Sequence, residues 1–206
     1  MTTHADGLIE RLETENTIEV DTAMVYKLRR KPASFGCFWA DATIREWKGG
    51  GSIDVQSDYG NFAYSWSHIG NCTLREFLCD LDFGYFMGKA RPGYMRFDAQ
   101  KTVRGLRDMI LERRRTDPGF SKSDARECWD DVDLFDLENS GSVDCFFNEL
   151  FRSPDLSKFL DGNYDIVRKS PDANSVAFWQ HCWPLFTAHW RDEIAARQSL
   201  PTRSGA

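Results

Sequence analysis

The sequence lacks the marks of most enzyme classes. There is no G-x-S-x-G nucleophile elbow. The glycine run Gly49-Gly50-Gly51-Ser52 has no Gly-Lys-Ser/Thr ending and leads into a strand rather than a helix. It reads as a sheet turn, not a phosphate loop. The six cysteines, at 37, 72, 79, 128, 145 and 182, form no C-x-x-C pair. No apolar run approaches the roughly 20 residues that cross a bilayer. The segment MTTHADGLIERLETENTIEV carries acids and no apolar core, so no signal peptide is expected. These absences predict reduced, mostly buried thiols in a cytosolic protein. There is also no internal repeat and no low-complexity tract.

Metal chemistry is similarly short of ligands. Asp136, Glu138, Ser140, Gly141, Val143 and Asp144 fall at suitable places for a calcium loop. Phe147, however, stands where the closing bidentate Glu belongs, and Glu149 comes two residues late. His181 and His189 are about two helical turns apart, too far along the axis for one tetrahedral zinc. His68 and Cys72 make only a two-ligand pair across a loop containing Gly70. The expectation is no metal, no cofactor and no catalytic residue.

What is present is a core and a charge pattern. Of 206 residues, 41% are apolar and 14% aromatic, enough for a sizeable core. Strands are predicted over Thr17–Leu28, Gly36–Trp47, from the Lys48–Gly51 turn onward, and over Phe62–Ser67. The basic loop KLRRKPAS joins the first two, and Ser57–Asn61 turns between the last two. Thr73 should cap a helix whose stripe is Leu74, Phe77, Leu78, Leu81 and Tyr85, ending at Gly88 and the Ala90–Gly93 stretch. Asp98 should cap a helix to about Arg115, with Val103, Leu106, Ile110 and Leu111 on one side. Ser121 or Ser123 caps the next. Short helices follow at Val143–Phe151 and from Pro154, then a loop over Asn163–Asn174. A last helix over Ser175–Arg197 should be kinked or split by Pro184.

The predicted fold class is α+β: an N-terminal antiparallel sheet of about four strands, then a mainly helical C-terminal half. One domain is expected over 1–198, with the sheet in 17–70 and the helices in 73–198. Residues 1–16 should be frayed or a short helix, and 199–206 a flexible tail.

Charge divides sharply along the helical half. Lys89–Lys122 holds ten basic and four acidic residues, a net of +6. Ser123–Ile166 holds three basic and twelve acidic residues, a net of −9. The plain reading is that the two segments lie side by side and neutralise each other. A functional reading gives one face to a partner. The acidic candidates are Asp130, Asp131, Asp133, Asp136 and Glu138, which can meet a protein or imitate a nucleic-acid backbone. The basic alternative is a nucleic-acid-binding regulator using helix 98–115. It would work through Arg104, Arg107, Arg113, Arg114 and Arg115, with Tyr94 and Phe97 as stacking rings.

The stretches SDYGNFAYSWSHIG and REFLCDLDFGYFMGKA join an S-D-Y-G-N turn, an aromatic strand and a helix with a Gly-Lys ending. Together with FDAQKT…LERRR and FWQHCWPLF, this pattern resembles small accessory proteins of temperate tailed phages and prophages, over residues 17 to 190. The resemblance carries no catalytic residue across. It implies a product acting in the bacterial cytoplasm that binds and inhibits a host defence complex without catalysis. An anti-CRISPR acting on a CRISPR effector is one such type. A phage structural or assembly component is a further alternative.

Overall fold

The computed structural model describes residues 21–29, 39–163 and 165–199. The expectations for 1–16, for the start of the first strand at Thr17, for most of the basic loop and for the tail beyond 199 lie outside them. The chain forms two compact units. The first joins the part up to Asp82 to the part from His181 onward; the second is Phe83–Gln180.

The first unit contains a four-stranded antiparallel meander, β1 (Met24–Arg29), β2 (Trp39–Trp47), β3 (Gly50–Ser57) and β4 (Gly60–Trp66), in sequential order. Alternation sets its faces. Ala40, Ala42 and Ile44 of β2 align with Ser57, Val55 and Ile53 of β3, and all six are buried. Phe62 continues that face opposite Val55. Helix α1 (Leu74–Cys79) packs on β3 and against α8 (Trp183–Gln198), whose Trp190 lies edge-on to Tyr26 of β1.

The glycine run does more than turn. Only Lys48 and Gly49 lie between the paired Trp47 and Gly50, with Gly49 at φ 77°. Gly50 and Gly51 pair within β3 at places where a side chain would crowd its neighbours. A Cβ on Gly50 would lie 2.5 Å from the Trp66 carbonyl oxygen, and one on Gly51 2.6 Å from Leu74 Cδ2.

Thr73 caps α1 with a complete capping box, its hydroxyl accepting from the Glu76 N–H and Glu76 reaching back to the Thr73 N–H. The helix predicted to follow is two: α1 stops at Cys79, and α2 (Phe83–Ala90) starts afresh in the second unit. Asp80 and Asp82 flank the break, and aspartate competes poorly in a helix interior. Tyr85, expected in the apolar stripe, is exposed.

Arg75 of α1 is buried yet charged. Its guanidinium pairs with Glu46 of β2 at 3.1 Å and Glu193 of α8 at 2.9 Å. Tyr26 of β1 also donates its hydroxyl to Glu193 at 2.9 Å.

The second unit is mainly helical: α2, α3 (Ala99–Thr116), α4 (Lys122–Leu134), a 3₁₀ turn (Leu137–Asn139), α5 (Val143–Leu150), α6 (Pro154–Leu160) and α7 (Ala173–His181), whose last residue falls in the first unit. Val103, Leu106 and Ile110 of α3 pack in one core with Val132, Phe146, Leu150 and Phe159. Leu111, expected beside them, is 42% exposed, because its neighbour Ile110 takes the core position. A two-stranded pair, β5 (Met95–Phe97) with β6 (Lys169–Pro171), replaces part of the expected loop over 163–174. Pro184 splits the predicted last helix, since it lacks the N–H that would continue the ladder. It sits in the first turn of α8, after α7 has ended at His181.

Asp98 caps α3, accepting from the Lys101 N–H at 2.8 Å and from the Ser170 hydroxyl at 2.6 Å. The Ser170 and Lys101 bonds favour its carboxylate and hold its pKa below the ordinary value. The stability it contributes is therefore present above the unfolded carboxyl pKa and lost as pH falls through the lower, folded value.

Gly50→Ala should lower stability by about 1–3 kcal/mol in urea unfolding. An unchanged midpoint would show that the close approach is not needed. Asp98→Asn keeps a capping side chain that cannot titrate. It should flatten the loss of stability on acidification, and a pH profile identical to the parent's would remove Asp98 as its source.

Candidate functional site

The two oppositely charged segments meet at one arginine. Arg107 of α3 donates from Nη2 to Asp133 and from Nη1 to Glu138, both at 2.8 Å. Its guanidinium also lies over the Trp129 ring, 5.8 Å from the centroid. Partial burial opposes its charge, but the bonds to Asp133 and Glu138 outweigh this and hold it firmly protonated. Leu137, fully buried, fastens the 3₁₀ turn to the core. Its neighbours Asp136 and Glu138 are left exposed.

Ser121 caps α4, its hydroxyl accepting from the Asp124 N–H while Asp124 returns to the Ser121 N–H. Cys128 and Val132 face the core. Burial pushes the Cys128 thiol up to about 11, with nearby Asp155 and Asp131 adding to the effect, so it is not a thiolate at neutral pH. Leu134 is two residues beyond Val132, about 200° around the helix. It is 74% exposed, the most exposed large apolar side chain among the described residues. It lines a depression of about 370 Å³ together with Arg107, Phe135, Asp133, Asp136 and Glu138. That places three carboxylates and one guanidinium around an exposed leucine.

The five acidic candidates thus separate. Asp133, Asp136 and Glu138 share the depression, where Asp136 accepts from the Asn139 side chain at 2.7 Å. Asp130 lies a turn back on α4 and pairs with Arg126 at 2.9 Å on the exposed surface. Asp131 faces inward and accepts a hydrogen bond from the Ser153 hydroxyl. Ser153 is buried and caps α6, accepting from the Leu156 N–H at 3.0 Å.

Four of the five basic candidates share one broad side of α3: at about 100° per residue Arg104, Arg107, Arg114 and Arg115 fall within an arc of about 100°, and Arg113 points away from it. Asp108 and Glu112 are exposed on the same helix. Arg113 donates to the Phe159 carbonyl at 2.8 Å and lies 5.4 Å from the Phe120 and Phe159 ring centroids. Arg115 approaches Glu112 at 4.0 Å. Arg104 and Arg114 are exposed. The proposed stacking rings are engaged within the unit, Tyr94 edge-on to Phe83 and Phe97 edge-on to Phe146.

The segment with calcium-loop spacing is the 3₁₀ turn followed by α5, capped by Ser142. Among the described residues no group of three metal-type ligands is assembled, and no helix is long and apolar enough to cross a membrane. Sequence reasoning missed Leu134 and the double grip of Arg107. A helical wheel of α4 could have flagged the leucine, since it falls opposite Val132.

These features define an α+β protein whose distinctive surface is an acidic depression with an apolar side chain in it. Residues 18–196 match a phage family, and the chain belongs to that family. No curated protein and no solved structure matches it.

Asp131→Ala should lower stability by about 1–3 kcal/mol, because the Ser153 hydroxyl loses its acceptor in a buried place. Asp130→Ala, removing an exposed pair, should change it by only about 0–1 kcal/mol. Equal unfolding midpoints for the two variants would contradict the inward role of Asp131.

Proposed function

We propose that this phage-family protein acts in the bacterial cytoplasm by binding a host protein complex and inhibiting it through occupancy, without catalysis. A CRISPR effector is the target class we favour, which would make the protein an anti-CRISPR. The observation that carries the reading is the depression in which Asp133, Asp136 and Glu138 meet a single counter-ion, Arg107. Its uncompensated negative charge suits a basic surface, such as the nucleic-acid channel of an effector complex. Charge of one sign over such a patch steers encounter and raises the association rate. Protein inhibition by occupancy requires no reacting group, only a surface that competes.

A tagged chain expressed in a bacterial host carrying CRISPR immunity should capture the effector in stoichiometric amount from nuclease-treated lysate. It should also restore plaquing of a targeted phage. The combined Asp130→Lys and Asp136→Lys variant should lose both effects while keeping its unfolding midpoint. Asp131 is left untouched because it supports the α6 cap. Capture undiminished by the reversals would sink the acidic-face reading. Capture of nucleic acid alone, lost on nuclease treatment, would favour the helix 98–115 alternative. Recovery in purified particles would favour an assembly role.

A further inference from the structure

Charge explains how a partner would arrive at this surface, but not why a leucine stands in it. Leu134 ends α4 with three-quarters of its surface in water. Single exposed leucines are ordinary; this one is set in a concave site. Phe135, half-buried, lies beside it in the same depression, and the carboxylates of Asp133, Asp136 and Glu138 complete the lining. We propose that the depression is the anchoring pocket of the interface, and that it takes an apolar side chain from a basic segment of the partner protein. The flanking Lys or Arg residues of that segment would lie against Asp133, Asp136 and Glu138. This inference rests on the acidic-face reading and specifies the partner that the face selects.

Charge complementarity chooses this occupant over the others. A second copy docked face to face about a two-fold axis would bring Asp133, Asp136 and Glu138 against the same carboxylates, and like charges facing each other across an interface are unfavourable. A nucleic acid would be repelled for the same reason. An uncharged apolar segment would fill the space beside Leu134 but leave the carboxylates to be desolvated without partners. A basic segment with an embedded apolar residue meets both halves of the lining. Interfaces commonly concentrate their energy in an apolar anchor that becomes enclosed on binding, with a polar rim around it. Arg107 already shows the geometry in which Asp133 and Glu138 grip a guanidinium.

The test uses the full chain and a defined probe: a short peptide with two leucines between lysine triplets, and a twin with serines in place of the leucines. Backbone amide NMR should show shifts at Leu134, Phe135 and Asp136 with the leucine peptide. The serine twin should shift Asp136 but not Leu134. Leu134→Ala should weaken the leucine peptide about tenfold and leave the twin unchanged. Because Leu134 is exposed, this variant should keep the parental unfolding midpoint. Equal binding of the two peptides, or equal binding by parent and Leu134→Ala, would overturn the anchor. If charge reversal at Asp130 and Asp136 still abolished effector capture in that case, the acidic-face reading would survive without the pocket. If neither change affected capture, both would fall.

Discussion

A buried cation governs how the first unit is assembled. Arg75 is 2% exposed, and an arginine removed from water must find carboxylates or forfeit its solvation uncompensated. It finds Glu46 on β2 and Glu193 on α8, and Tyr26 on β1 donates to the same Glu193. Four elements are thereby committed to one place. The last of them is more than a hundred residues later in the chain than α1. This requirement returns the C-terminal helix to the N-terminal sheet, so that in sequence Phe83–Gln180 is an insertion within the first unit.

Much of the fold was legible because local chemistry acts at single residues. Thr73, Asp98 and Ser121 each cap the helix predicted for them, since a short polar side chain before an apolar stripe satisfies an otherwise orphaned N–H. Pro184 divided the last helix as its missing N–H requires. The four-strand meander followed from alternation and from Gly60 at φ 111°. What escaped had no local signal. The β5–β6 pair is three residues a side, too short for a period to show. The break at Asp80–Asp82 interrupts an apolar spacing that continues across it.

The candidate site was less legible than the fold, for a related reason. A run of acids reveals net charge but not direction. Asp130, Asp131 and Asp133 are near neighbours in sequence, yet one is an exposed helix pair, one supports the cap of another helix and one enters the depression. Neutralisation of the two segments, the plain expectation, does occur, but at Arg107 alone among the arginines of α3. Of the other arginines, Arg113 points away and is taken up by Phe120, Phe159 and Asp117.

That distribution bears on which charged surface is left to act. A helix tracking phosphates needs an unbroken row of free cations, whereas α3 turns Arg113 away, engages Arg107 with Asp133 and Glu138, and places Asp108 and Glu112 on the side of Arg104 and Arg115. The acidic depression has the opposite character: its carboxylates converge, and its counter-charge is a single arginine that also reaches the Trp129 ring. Exposed carboxylates alone favour rapid but short-lived encounters, because surface ion pairs are weak and screened by salt. Residence must come from excluded apolar area, since affinity among related interfaces is set mostly by dissociation. An inhibitor that acts by occupancy needs both properties at one surface. In the proposed reading, Leu134 standing among Asp133, Asp136 and Glu138 would combine them.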